Sequence, residues 1–90
     1  MVFKTKLEPR RVGSDKIEVT LRLLNENEKL IVQALIAKGG EVLQKDISSE
    51  LGLSRVQTHR SIQSLIERDI VSVESFYNTN KVSLSDWLRD

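Results

Sequence analysis

Residues 44–70 read QKDISSELGLSRVQTHRSIQSLIERDI, and the break inside them, Leu51-Gly52-Leu53-Ser54, constrains the chain more than any other feature. Before the break, Ile47 and Leu51 stand four apart on one face while Lys45, Ser49 and Glu50 point elsewhere, which predicts a helix over 44–51. Gly52 follows the last apolar position, where a helix ends in a left-handed conformation that glycine adopts without steric cost. Ser54 then offers a hydroxyl to the free N–H groups of a new helix. That helix, over 54–68, carries Thr58, Ile62 and Leu65 on one side, in line with Asp69 and with Ile66 beside them.

Two short helices joined by a glycine-containing turn form a helix-turn-helix unit. With Thr58, Ile62 and Leu65 inward, Val56, Gln57, Arg60, Gln63, Ser64 and Glu67 face outward, and Arg55, His59 and Ser61 lie on the flanks. The chain holds 13 Asp and Glu among 90 residues, yet none falls between Gly52 and Ile66. The outward face is therefore neutral to positive and rich in groups that hydrogen-bond base edges.

Length and an apolar content of 39% allow one small domain. A net charge of +1 is too mild to indicate a nucleic-acid partner, so local distribution must carry that argument. Residues 1–22 hold six basic against three acidic side chains. The chain has no cysteine and a single histidine, His59, which excludes disulfides, cysteine-ligated metals and His-rich metal sites. Nothing resembles a signal peptide, and the longest apolar run, LIVQALIA at 30–37, is too short to span a bilayer. The expectation is a soluble, cytoplasmic protein with no membrane contact. Without paired acids, a nucleophile motif or a phosphate loop, the chain reads as neither enzyme nor cofactor protein, and no small-molecule ligand is evident.

In chain order, residues 1–22 read as an extended basic segment. Phe3, Thr5 and Leu7 alternate with Val2, Lys4 and Lys6; a turn-rich stretch from Pro9 to Asp15 follows, and Ile17, Val19, Leu21 and Leu23 alternate again. This predicts two strands, although Ile17, Leu21 and Leu24 also fit a short helix capped by Ser14. Asn25 with Glu28 forms a capping box for a helix to Lys38, stopped by Gly39 and Gly40. Leu30, Ile31, Ala34, Leu35 and Ala37 make its core stripe, while Val32 and Ile36 on the other side require cover from the N-terminal strands or from a second copy. Residues 41–43 are an extended link, and Leu43 is a poor N-cap, costing roughly 1 kcal/mol relative to Ser or Thr. Two extended segments, VSVES at 71–75 and KVSL at 81–84, flank turn chemistry at 76–80 and predict a hairpin. Ser85 caps a short tail holding Trp87 and Leu88.

The order of helix, short extended segment, helix, turn, helix and hairpin, over residues 23–84, resembles a winged helix-turn-helix DNA-binding domain. It is most similar to small prokaryotic regulators of the MarR type. The resemblance rests on the 51–55 turn, the Thr58, Ile62 and Leu65 stripe, and IERDIVSVE leading into the hairpin. Asp69 replaces the usual glycine and Thr58 the usual valine; Asp tolerates a left-handed backbone, and Thr has nearly the shape of Val. The fold class so implied is α+β: three helices and a C-terminal wing at 23–90, after the N-terminal segment.

The resemblance implies major-groove insertion of the 54–68 helix into double-stranded DNA, with the hairpin tip at 76–81, including Asn78, Asn80 and Lys81, on phosphate or in the minor groove. The residue chemistry agrees. Gln57 suits adenine, Arg60 guanine or phosphate, and Val56 a thymine methyl, with Gln63 and Ser64 further along the face. Ser54, Arg55, His59 and Lys45 suit phosphates. Lys4, Lys6, Arg10 and Arg11 form either a basic arm over the DNA backbone or a solvated strand face. Phe76 and Tyr77 stack on nucleotides, cover the core or join an interface; Trp87 and Leu88 pack under the domain or against a second subunit, unless they fray.

Two functions follow: a homodimeric transcriptional regulator reading a two-fold site, or a winged helix serving as a protein-interaction module. An exposed Arg55, Gln57 and Arg60 surface, joined to Lys81 and the N-terminal basic residues, favours the first; burial of that surface in an interface favours the second.

Overall fold

A computed structural model describes residues 9–89. In chain order these form α1 (Pro9–Arg22), α2 (Glu26–Ala37), β1 (Glu41–Leu43), α3 (Gln44–Leu51), α4 (Arg55–Glu67), β2 (Val71–Phe76), β3 (Thr79–Leu84) and α5 (Asp86–Arg89). The three strands make one antiparallel sheet in the order β1-β3-β2. With α2, α3 and α4 packed against it, this is a winged helix.

The N-terminal segment departs from its strand reading. Residues 9–22 are helical, with Pro9 in the first position, where its fixed φ and missing N–H cost nothing. Thr20 and Leu24 are buried, and Ile17 and Leu21 pack against the core beside them. Spacings of three, four and seven place these four on one helical face, whereas a strand would have aligned Ile17, Val19, Leu21 and Leu23. Val19 on the helix is 56% exposed, and Leu23 in the turn after it 72%. Ser14 lies within the helix and so does not cap it. The expected strand at 1–7, with Lys4 and Lys6, lies outside the described residues.

Helix α2 begins on the expected capping box: the Asn25 side chain accepts from Glu28 N at 2.9 Å, and Glu28 Oε1 accepts from Asn25 N at 3.0 Å. Ile31, Val32 and Leu35 are fully buried, Ala37 is exposed and Ile36 partly so. Val32 therefore needs neither an N-terminal strand nor a second copy. Its helix runs through the middle of the domain, against α3, α4, β1 and β3, so more than one of its faces meets protein.

The extended link at 41–43 is a true strand, pairing Glu41 with Ser83, Val42 with Val82 and Leu43 with Lys81. Leu43 keeps strand geometry at the start of α3 and makes no side-chain cap, as its chemistry requires. The hairpin is longer than its sequence signal, with Phe76 opposite Thr79 and a two-residue turn at Tyr77-Asn78. Val82 and Leu84 of β3 and Val71 of β2 enter the core with Ile47, Ile62, Leu65 and Ile70. The tail does not fray: Leu88 is buried, and Trp87 Nε1 donates to Asp69 O at 2.7 Å. Asp69 takes φ 60°, a left-handed conformation that Asp tolerates better than most side chains.

Candidate nucleic-acid interface

The turn between α3 and α4 is built as its residues dictate. Gly52 takes φ 67°, and the N–H groups of Gly52 and Leu53 both return to Ser48 O, which closes α3. Ser54 Oγ accepts from Gln57 N at 3.0 Å, and Gln57 Oε1 accepts from Ser54 N at 3.0 Å, a second capping box. A hydroxyl chain lies behind it: Ser48 Oγ donates to Thr58 Oγ1 at 2.8 Å, and Thr58 Oγ1 donates to Ser54 O at 2.9 Å. Thr58 is fully buried and Ser48 half-buried, so this chain fixes α4 against α3 from the core side of the turn to the edge of the cleft.

Arg55, Val56, Gln57, His59, Arg60 and Gln63 are all exposed on α4, and Ser64 is half-buried. Ser61 is buried, not flanking, because α4 lies deeper against α2 and β2 than a single stripe requires. The cap commits the Gln57 carbonyl oxygen, leaving its amide nitrogen as the group free to reach outward. Bidentate pairing with adenine needs both atoms, so the cap weakens the case for Gln57 as an adenine reader.

Between α4 and the wing lies a cleft of about 550 Å³, with Lys45, Ser48, Arg55 and His59 on the helical side and Asn78, Thr79 and Asn80 on the wing side. Gln44 joins the two walls: its Oε1 accepts from Asn80 Nδ2 at 3.0 Å, which ties the wing to the start of α3. Neither Gln44 nor Ser48 stood out in the sequence. Their spacing of four, beside Leu51 at the i, i+4, i+7 positions of α3, was the available signal.

Lys81 does not join this cleft. Alternation along β3 turns it to the opposite side, where it lines a groove with Lys38, Glu41, Phe76 and Glu50. There its Nζ lies 3.7 Å from Glu74 Oε2 and 6.0 Å from the Phe76 ring centroid. The expected continuous patch is thus met by Arg55, Gln57 and Arg60 in their exposure, but not by Lys81. The side chains of Arg10 and Arg11 lie outside those described. Among the described residues no group of three His, Cys, Asp or Glu side chains is placed to hold a metal, and no helix is long and apolar enough to cross a membrane.

The chain is similar in structure to a MarR transcriptional regulator from Methanosarcina mazei Go1, with a TM-score of 0.68 over 89% of this chain and 56% of that one at 18% identity. At that identity the likeness bears on the fold alone. In sequence it is 35% identical over 77 residues to an uncharacterized protein of Methanocaldococcus jannaschii, and 34% identical over 64 residues to one of Pyrococcus horikoshii. These alignments take in 86% and 71% of this chain but only 16% and 19% of the relatives, so the chain spans less than a fifth of their length. The model of the family described as "Domain of unknown function (DUF7343)" matches residues 23–85, and the chain belongs to that family.

Proposed function

We propose that this chain binds double-stranded DNA, with α4 in the major groove, as the reading module of a transcriptional regulator. One observation carries the reading: the exposed face of α4 presents Arg55, Gln57, His59, Arg60 and Gln63 with no acidic residue between Gly52 and Ile66. In a chain of nearly balanced charge, that surface is where anionic backbone and base edges meet donors. Arg60 and Val56 read bases. Lys45, Arg55 and His59 hold phosphate, helped by Ser54, whose hydroxyl proton is free because the cap uses its oxygen. Asn78 and Asn80 approach from the wing.

The module acts as a homodimer on a two-fold site. Val19 on α1 and Leu23 in the turn that follows it, both exposed, together with the half-covered Trp87 on α5, supply an apolar surface for a second copy. A regulator of this kind works where the genome is, which for a prokaryotic protein is the cytoplasm.

The test is a salt titration of binding to mixed-sequence duplex, run beside sedimentation. Binding should weaken linearly in log–log form, with a slope of about −0.9 per phosphate neutralised. No binding at low salt would exclude this reading and favour a winged helix that recognises protein.

A further inference from the structure

Tyr77 is the most exposed of the large hydrophobic side chains described, at 93%, and it stands at the tip of the wing. Its backbone is at φ 55°, a conformation that turns of this length usually assign to Asn or Gly and that a bulky residue adopts only against steric resistance. Nothing in the core rewards it, since the ring is in solvent. Its ring is nevertheless held: Phe76 meets it edge to face, with centroids 4.8 Å apart and planes at 88°. Phe76 in turn lies below Lys81 Nζ, and Asn80 ties this strand to Gln44 of α3. The tip is thus a braced aromatic projection on a hairpin anchored to the helix-turn-helix.

The position relative to the cleft sets what it meets. Lys45, Arg55 and His59 face Asn78, Thr79 and Asn80 across it, so hydrogen-bonding groups line both walls. Such a slot fits one phosphodiester strand. A strand seated there has the major groove on its α4 side and the minor groove on its wing side. Tyr77 adjoins Asn78 but stands outside the cleft, at the wing end.

We propose that Tyr77 is an aromatic wedge that enters the minor groove and partly unstacks one base step of the duplex held by α4. This rests on the DNA-binding reading and adds to it a second source of sequence preference. A wedge selects pyrimidine–purine steps, which unstack and kink most readily, without hydrogen-bonding any base. The left-handed backbone at the tip is the cost of projecting a ring there.

The test uses the full 90-residue chain and a duplex selected for tight binding, with 2-aminopurine placed in turn at each step beyond the α4 footprint. Wild-type protein should raise the fluorescence at one step, and replacing that step by a stiff purine–purine step should weaken binding. Tyr77→Gly should weaken binding about tenfold, the scale of one lost base–aromatic stack, with the salt slope unchanged. It should unfold at the same temperature or higher than wild type, because glycine relieves the backbone. Tyr77→Phe should bind as wild type. If Tyr77→Gly binds within twofold of wild type and no position brightens, the wedge is excluded while DNA binding stands. If the wild type binds no duplex at any salt, the DNA-binding reading itself fails.

Discussion

Ser48 and Thr58 are joined by a 2.8 Å hydroxyl–hydroxyl bond across the helix-turn-helix, the first donating and the second passing its own proton to Ser54 O. Thr58 has nearly the shape of valine, and its hydroxyl adds a polar link between α3 and α4 without changing core shape. Thr58→Val should cost about 1–2 kcal/mol in urea unfolding, since Ser48 Oγ loses its acceptor in a half-buried site. Ser48→Ala in the same background should add much less than it does alone. Additive losses in this cycle would show that the bond carries no coupling.

Arg60 and Lys81 should behave differently from each other, and the structure determines how. Arg60→Ala should lose about 1–3 kcal/mol of binding and relax preference at one base pair. Lys81 turns toward Glu74 and Phe76 on the far side of the wing, so Lys81→Ala should leave the salt slope unchanged. Lys45→Ala, which removes a cleft cation, should reduce that slope by about 0.9. A smaller slope for Lys81→Ala would place the duplex on the other groove.

Glu28 is 2% exposed, yet its carboxylate has a definite task, accepting from Asn25 N at the start of α2. Arg68 Nη1 is 3.8 Å away and half-exposed, so its ionic contribution is small. Glu28→Gln should therefore be mild, below about 1 kcal/mol, because the amide oxygen preserves the cap. Glu28→Ala should cost about 2 kcal/mol by removing the cap and opening space in a packed site. Chemical denaturation followed by Trp87, the single tryptophan, measures both.

Asp69 holds φ 60° while its carbonyl accepts from Trp87 Nε1, so backbone strain and tail docking meet at one residue. Asp69→Gly should raise stability by up to about 1 kcal/mol, and Asp69→Val should lower it by more than that. Trp87 emission should stay unchanged in the glycine variant, since the bond uses main chain.

The local signals were legible because each is complete within four or five residues. Asn25 with Glu28, Gly52, Ser54 and the Thr58, Ile62 and Leu65 stripe all appear in the structure where their chemistry placed them. Most of the face of α4 was legible for the same reason, since helical periodicity alone separates it from the core. Gln57 was less so, because its neighbour's cap competes for the atom that a base would need.

What the chain by itself determined, then, is the set of helix ends, the apolar stripe of α4 and the interval without acidic residues that makes its outer face suited to an anionic partner. Tertiary structure decided the rest. Alternation at 17–23 suits a strand as well as a helix, and docking of Ile17, Thr20, Leu21 and Leu24 selects the helix. Three residues, Glu41 to Leu43, become a strand only because β3 lies beside them. Val32 is covered because α2 runs through the middle of the fold, and Lys81 leaves the cleft because pairing register sets its side of the hairpin. Each of these depends on a partner distant in sequence, and no window of neighbouring residues contains that partner.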